Sequence, residues 1–293
     1  MKSKVNRYVF LKRIAAGYAL SISATFAMGH INFALPMGDK TWRMSGNPIR
    51  CGLVLTIPNY GVGYFEQYAA RQPHFVLRQW NQVTRPLPAE IVARPPMWKP
   101  ADPILLVGTM NINPGPYSVF LKPDSTLKLL TYLSRGYETT FNYESDIGFG
   151  VTVALTPIGF QKPYARYQHC VGNLLPFGYD KVKDSILHFA PDGRELSEDD
   201  KAQLRRIAQY VAADKQIQVI RIVGYTDETG RKGYNNAISQ KRAQTVQNYL
   251  VTLGVPEEQL SVTWMGQQHP VARNDTDEGR AANRRVIINL IKK

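Results

Sequence analysis

Prolines divide this chain of 293 residues into two parts. Of its 19 prolines, only Pro191, Pro256 and Pro270 lie beyond residue 180. Proline fixes φ and lacks a backbone donor, so a proline-rich stretch favours short strands and turns over long helices. A chain of this length also accommodates two domains. The sequence therefore predicts two domains of different architecture, at residues 28–179 and 180–293.

In the first part, short runs of β-branched and aromatic residues alternate with proline and glycine. Examples are the runs at 52–57, 75–80 and 150–155. Runs of this length between turn residues are typical of strands. One helix is predicted at Ser125–Leu133, where apolar residues recur at helical spacing. We therefore expect a mostly β domain, built as an antiparallel sheet, sandwich or barrel, that offers a binding or scaffolding surface and no catalytic constellation.

Strand and helix signals alternate in the second part. Ser197 supplies an N-cap side chain with Asp200 three residues later, and apolar residues then recur along one helical face. The segment Ile217–Gly224 is nearly apolar on both faces, as a central strand needs to be. The remaining signals indicate strands at 185–189, 260–264 and 286–290 and a second helix at 236–253. The order β-α-β-α-β-β predicts a two-layer α/β sandwich with a mixed sheet.

The first 27 residues have the pattern of a secretory leader. Five basic residues and no acid accompany the apolar run Ile14–Ala24, and small residues stand at Thr25 and Ala27 before Met28. The run is too short to span a bilayer about 30 Å thick, which leaves an uncleaved interfacial helix as the alternative. No cysteine follows the run, so it offers no lipoprotein anchor. We expect cleavage after Ala27 and export to the periplasm.

The two cysteines, Cys51 and Cys170, are expected to form a disulfide, because export places them in an oxidising compartment. Closing such a long loop stabilises a fold by about 4 kcal/mol in the chain-entropy model. The five histidines are scattered and show no ligand spacing. The sequence therefore predicts no metal site and no cofactor.

The net charge of +13 points to an anionic partner. Five of the basic residues lie in the leader, which leaves +8 on the rest of the chain. This sign suits a cell wall, lipopolysaccharide or a nucleic acid. From Asp180 onward the net charge is only +3, without a concentrated basic stripe. Dispersed charge is not the pattern of a nucleic-acid-binding protein, so no nucleic-acid partner is expected.

Arg242 lies on the inward side of the second predicted helix, four residues from both Ile238 and Val246. A guanidinium buried there without a partner is costly, so it must be paired or open onto a cleft. The nearest acid is Asp227, at the end of the central strand, where α/β sheets bind their ligands. We expect the two side chains to share one pocket.

One carboxylate beside one guanidinium complements a zwitterionic amino-acid end. The ligand ammonium would face Asp227, and its carboxylate would accept two parallel hydrogen bonds from Arg242. The side-chain end of meso-diaminopimelate, in peptidoglycan stem peptides, carries this pair of charges. The alternative is a structural role, in which Asp227 caps the turn and makes an ordinary ion pair with Arg242.

Two segments, Ile222–Asp227 and Asn235–Ala243, resemble the G-H-T-D and N-x-x-L-S-x-x-R-A motifs of the OmpA-like peptidoglycan-binding family. Further family positions follow in order at Gly254, Gly266, Pro270, Asn274 and Gly279–Val286. The resemblance covers residues 184–291 and implies a domain that binds peptidoglycan without cutting it.

The resemblance also implies which residues form the pocket. Asp227 and Arg242 match the family positions that bind diaminopimelate, and the other matching positions are Thr226, Asn235, Asn283 and Arg284. The chain departs from the family pattern at Tyr225, Ile238 and Gln268, the last of which changes a loop beside the pocket.

The whole chain is similar to the MotY family, the periplasmic T-ring proteins of sodium-driven flagellar motors. The likeness rests on the leader, the β-rich domain with two cysteines, and local runs at 57–61, 95–100 and 170–175. It implies partners beyond peptidoglycan: a MotX-like protein, the flagellar basal body and, indirectly, the stator complex, in a ring-forming assembly around the motor.

Two other functions are compatible with parts of the sequence. Two acidic pairs, the adjacent Asp227 and Glu228 and the nearby Asp275 and Asp277, suggest glycoside hydrolysis, which needs two carboxyls about 5 to 10 Å apart across a cleft. Adjacent residues at a strand end usually point apart, so we expect no enzyme activity. The other function is a general envelope tether, which binds the wall through the second domain and has no motor role.

Overall fold

The computed structural model describes residues 29–35 and 42–293. The predicted leader, Met1–Ala27, lies outside these residues. The described N-terminal part contains ten strands and two helices. They are β1 His30–Phe33, β2 Trp42–Asn47, β3 Arg50–Ile57, β4 Gly61–Tyr68, β5 His74–Gln79, β6 Leu87–Arg94, β7 Leu105–Ile112, β8 Tyr117–Leu121, α1 Pro123–Ser134, β9 Glu138–Glu144, β10 Gly150–Leu155 and α2 Gln161–Gly172.

Two five-stranded sheets share one hydrophobic core in this N-terminal part. The sheet β2-β3-β4-β5-β8 is antiparallel throughout, and the sheet β1-β10-β9-β6-β7 is antiparallel except for the parallel pair β1–β10. Phe75 of the first sheet stacks on Phe141 of the second, with ring centroids 5.7 Å apart, and both rings are fully buried. The predicted mostly β fold is confirmed, and α1 begins at Pro123, two residues before its predicted start.

Helix α2 has no counterpart among the sequence predictions, although Tyr164, Tyr167 and Val171 recur at helical spacing and pack in the N-terminal core. Only Pro163 and Tyr167 of this helix are buried. The helix carries Cys170, which forms the expected disulfide with Cys51 of β3 across a sequence separation of 119. The disulfide therefore fixes α2 against the β2–β3 hairpin.

The C-terminal part is a two-layer α/β domain, as its alternating signals predict. Its elements are β11 Asp184–His188, α3 Glu198–Ala213, β12 Ile217–Gly224, α4 Lys232–Thr252, β13 Leu260–Trp264, α5 Asp277–Asn283 and β14 Arg285–Lys292. The sheet has the order β11-β14-β12-β13, with β12 and β13 parallel and the other pairs antiparallel, so it is mixed as expected. The capping box of Ser197 and Asp200 is present at the start of α3.

Two details of this domain differ from the sequence predictions. The helix α5 was missed, because seven residues are too few to show a helical period. Strand β12 is central but not apolar on both faces, since Gln218 and Arg221 are exposed. Helices cover only one face of this sheet, so the other face tolerates polar side chains.

Helix α4 approaches β12 closely at Gly224. A Cβ built on Gly224 would clash with the carbonyl oxygen of Ser239 on α4. The missing side chain therefore allows the helix to lie against the carboxyl end of the strand. This approach brings Arg242, one turn beyond Ser239, to the loop that follows β12.

The two parts contact each other at the tip of the β2–β3 hairpin. Asn47 Nδ2 donates to Ala213 O at 3.4 Å, and Ile49 packs against the C-terminal core. Arg71 and Asp180 form an exposed ion pair at 2.5 Å. The predicted domain boundary after residue 179 lies next to this contact and stays a prediction. Within the described ranges, no helix combines the length and hydropathy needed to cross a bilayer.

Candidate ligand-binding site

A cavity of about 420 Å³ opens at the carboxyl end of β12. Four segments supply its walls: the turn after β11, the loop after β12, helix α4, and helix α5 with its junction to β14. These segments bring together five of the six residues that the sequence predicts for the site. The five lining residues are Thr226, Asp227, Asn235, Arg242 and Arg284.

Arg242 is only 1% exposed where it lines the cavity. Its Nε donates to Gly193 O at 2.8 Å, and its two Nη atoms donate to Tyr225 O at 3.3 Å and Ala190 O at 3.0 Å. The guanidinium carbon also lies 5.3 Å from the ring centre of Phe189. A guanidinium has five N–H donors, so these bonds leave one N–H on each Nη for a ligand.

Arg242 and Asp227 both line the cavity, but they do not form the ion pair of the structural alternative, because the guanidinium donates to three backbone carbonyls instead. Among the residues described, no carboxylate lies within 4 Å of Arg242. Asp227 pairs with Arg284, whose Nη1 is 2.9 Å from Oδ2, and its Oδ1 accepts the Thr229 N–H at 3.0 Å. The structural alternative is thus right that Asp227 caps the turn and wrong about the arginine that pairs with it.

Burial dominates the electrostatics of Arg242. Removal from water disfavours the charged guanidinium and lowers the pKa of Arg242 to about 10, against the opposing effect of Asp227. A carboxylate that reached the free N–H donors would oppose this shift, since it stabilises the charged form. The site therefore gains from binding an anion.

Two asparagines of the predicted site hold loops in place. Asn235 is 2% exposed and donates to Gln267 Oε1 at 2.7 Å, which ties α4 to the loop after β13. Asn283 is fully buried and does not line the cavity. Its amide makes four hydrogen bonds, 2.8 to 3.2 Å long, to residues 271–274. Asn283 thus shapes a neighbouring loop and has no place on the cavity wall.

The hydroxyl of Thr226 is buried and has no hydrogen-bond partner within residues 29–35 and 42–293. Its backbone N–H is satisfied by Gly266 O at 2.8 Å. Buried hydroxyls without a partner are rare, so this one is a candidate ligand contact. The same residues contain no cluster of three or more His, Cys, Asp or Glu side chains that could hold a metal ion.

Five charged or polar residues of the cavity are absent from the predicted site: Asp192, Thr229, Tyr234, Asp277 and Arg280. Tyr234 donates its hydroxyl to Asp192 Oδ1 at 2.9 Å, and this bond raises the pKa of Tyr234. Asp277 and Arg280 also line the cavity and pair with each other. The run Pro191–Gly193 indicates a turn, but nothing in it shows that the turn folds over α4.

Two family models match this chain. Residues 33–176 match the MotY N-terminal domain, and residues 188–284 match the OmpA family. This chain joins a MotY N-terminal domain to an OmpA-family domain. The disulfide lies in the MotY domain, and the cavity lies in the OmpA-family domain. The family resemblance stated from the sequence motifs is confirmed.

Several known proteins are similar to this chain, either along its whole length or over one domain. The sodium-type flagellar protein MotY of Vibrio parahaemolyticus is 28% identical over 276 residues, which are 92% of this chain and 94% of that protein. Peptidoglycan-binding protein ArfA of Mycobacterium tuberculosis is 42% identical over 107 residues, which are 36% of this chain and 32% of ArfA. Among solved structures, the peptidoglycan-associated lipoprotein from Burkholderia pseudomallei is 34% identical over 36% of this chain and 89% of its own, with a TM-score of 0.35.

Proposed function

We propose that the OmpA-family domain binds peptidoglycan non-covalently, and that the cavity receives the side-chain end of meso-diaminopimelate. That group carries a carboxylate and an ammonium on the same carbon atom. The free N–H donors of Arg242 suit the carboxylate, and the acidic side chains of the cavity suit the ammonium. Thr226, Asp227, Asn235 and Arg284 form the walls around them.

The observation that carries this proposal is the buried charge of Arg242 at an open cavity. Carbonyl oxygens satisfy three of its donors but do not neutralise the charge, and a buried charge without a counter-charge is costly. An anionic ligand supplies the missing charge. Similarity of this domain to a protein named as peptidoglycan-binding supports the same ligand class.

We further propose that the chain is exported to the periplasm and works in a flagellar motor. Its similarity to a sodium-type flagellar MotY along 92% of its length supports this role. In this proposal the MotY domain contacts the basal body and a MotX-like protein, and several copies form a ring. The OmpA-family domain holds that ring to the wall and helps to anchor the stator complex, because a stator that exerts torque needs a fixed support.

A deletion strain tests the motor role. Swimming and the fluorescent foci of a labelled stator protein should be lost on deletion and restored by the wild-type chain. An Asp227→Asn chain that accumulates to the same level should restore them poorly, since its cavity has lost a wall charge. If swimming and foci both survive deletion, the general tether without a motor role replaces the motor proposal.

The proposal describes a binding protein and not an enzyme. Three of the four acids considered for hydrolysis are held in ion pairs: Asp227 with Arg284, Asp275 with Arg273 at 2.6 Å, and Asp277 with Arg280. Incubation of the purified chain with sacculi should therefore release no soluble fragments. Release of muropeptides above a buffer control would show that the domain cuts the wall.

A further inference from the structure

The loop 95–104 between β6 and β7, here named the tip loop, keeps two large apolar side chains in water. Met97 is 93% exposed and Trp98 is 73% exposed. Apolar side chains that cluster on a protein surface mark contacts with another molecule, and the proposed wall binding gives this loop no task. We propose that Met97 and Trp98 insert into the surface of a bilayer that contains anionic phospholipids.

The tip loop is rigid, so Trp98 is held in one place. Two consecutive turns shape the loop: the Lys99 N–H donates to Pro96 O at 2.8 Å, and the Asp102 N–H donates to Lys99 O at 3.1 Å. The indole lies against the turn after α1, where a Cβ built on Gly136 would be 3.2 Å from the ring. Because the apolar side chains are already in position, their insertion loses little conformational entropy.

The backbone of the tip loop suits a medium that offers no hydrogen-bond partners. Proline has no backbone N–H, and four of the ten residues are prolines: Pro95, Pro96, Pro100 and Pro103. The two turns satisfy a further two N–H groups within the loop. Few donors therefore lose their water when the loop enters an apolar phase. A protein pocket can supply acceptors to a loop that enters it, so this composition favours a bilayer over a protein partner.

Basic side chains accompany the apolar tip. Lys99 follows Trp98, Arg94 precedes the loop and Arg135 precedes Gly136, and all three basic residues are exposed. The two acids at the base of the loop are half-buried and paired: Asp102 accepts a tyrosine hydroxyl at 2.7 Å, and a glutamate of β9 lies opposite Arg94. Tryptophan favours the interface between water and lipid, where lysine and arginine reach anionic headgroups.

The apolar surface continues at the start of β7. Ile104 and Leu106 are 60% and 64% exposed, while Leu105 between them packs against the N-terminal core. Side chains alternate in this way along a strand, so the first two lie on the side away from the core. These few residues suit a shallow and reversible contact. The chain would then hold a membrane surface through one domain, in addition to the proposed hold on the wall through the other.

Co-sedimentation with phospholipid vesicles tests the proposal. The vesicles contain phosphatidylethanolamine and phosphatidylglycerol and no peptidoglycan, so the result does not depend on the proposed wall binding. The chain from residue 28 onward is used, because the apolar run of the leader would bind lipid by itself. Met97→Ser with Trp98→Ser removes both apolar side chains. Trp80→Ser is the matched control, since Trp80 is 54% exposed but follows β5. Circular dichroism confirms that each variant is folded.

We expect the wild type and Trp80→Ser to bind the vesicles, and the double variant to bind at least about tenfold more weakly. Trp98→Phe should still bind, but it should lose the shift of tryptophan emission to shorter wavelength that the wild type shows with vesicles. Phosphatidylcholine in place of phosphatidylglycerol should weaken binding, because Lys99 and its neighbouring arginines lose their anionic partners.

Three results would overturn the proposal. The first is a wild-type chain that stays in solution beside the vesicles, which would leave a protein pocket as the site that receives the tip loop. The second is a double variant that binds within about twofold of the wild type, since the basic charge of the chain would then account for the binding. The third is an equal loss in Trp80→Ser.

Discussion

Arg284 forms an ion pair with Asp227, in which Nη1 of the arginine lies 2.9 Å from Oδ2 of the aspartate. Arg242 is therefore not engaged by Asp227 and is bound to three carbonyl oxygens. The two arginines have different tasks: Arg284 neutralises the motif aspartate, while Arg242 joins backbone loops and keeps donors for a ligand. Substitutions of the two residues should fail in different ways.

Arg242→Ala should lower the free energy of unfolding of the OmpA-family domain by about 3 to 5 kcal/mol, because three carbonyl oxygens lose their donor together. Arg242→Lys should cost less but still lose ligand binding, since an ammonium does not donate a planar pair of hydrogen bonds. Urea denaturation followed by circular dichroism measures both. A loss under about 1 kcal/mol for Arg242→Ala would mean that the loops do not depend on it.

The pair of Asp227 and Arg284 should show a coupling free energy of about 1 to 3 kcal/mol in a double-mutant cycle of Asp227→Asn and Arg284→Gln. Both side chains are about one-tenth exposed, so removal of one leaves the other charge poorly solvated. The exposed pair of Arg273 and Asp275 is the matched control and should show almost no coupling. Similar coupling in the two cycles would refute the role given to Arg284.

Asn283→Ala should destabilise the domain by about 2 to 4 kcal/mol, because a fully buried amide loses four hydrogen bonds to residues 271–274. The control is Asn289→Ala on β14, which removes one side-chain hydrogen bond, to Asp184, and should cost about 0.5 kcal/mol or less. Chemical denaturation measures the loss of stability in both variants. Equal losses would show that the four hydrogen bonds of Asn283 stabilise the domain no more than the single bond of Asn289.

Replacement of both cysteines, Cys51→Ala with Cys170→Ala, should lower the stability of the MotY domain by about 4 kcal/mol, since the bond closes a long loop. Affinity for the diaminopimelate tripeptide, L-Ala-D-Glu-meso-diaminopimelate, should stay unchanged, because the cavity lies in the other domain. Urea unfolding and calorimetry test the two statements separately. A drop in tripeptide affinity would show that the hairpin contact with the C-terminal core reaches the cavity.

Local signals in the sequence were enough to predict most elements of the OmpA-family domain. The capping box at Ser197, the bounds of β12 and β13 and the end of α4 before Gly254 depend on a few neighbouring residues each, and they agree with the structure to within about two residues. For the MotY domain, only the mostly β fold class was predicted. Its strand order depends on contacts between distant segments, for which the sequence has no local signal.

The side-chain contacts inside the cavity could not be predicted from the sequence for the same reason. Arg284 is 57 residues from Asp227, and Ala190 is 52 residues from Arg242, so both contacts depend on how loops fold over the sheet edge. The inward position of Arg242 was predictable, because helical periodicity alone fixes the side of the helix. Asp192 looked like an ordinary turn residue, and only the folded turn places it on the cavity wall.

Co-sedimentation of the chain with purified sacculi, in competition with free tripeptides, tests the central claim most directly. It needs no substitution, so its result is independent of the part that Arg242 plays in folding. The account predicts that the chain sediments with the sacculi and that an excess of the diaminopimelate tripeptide releases it, while its L-lysine analogue, which lacks the side-chain carboxylate, does not. A chain that stays in solution, or equal release by the two tripeptides, would contradict peptidoglycan recognition through this cavity.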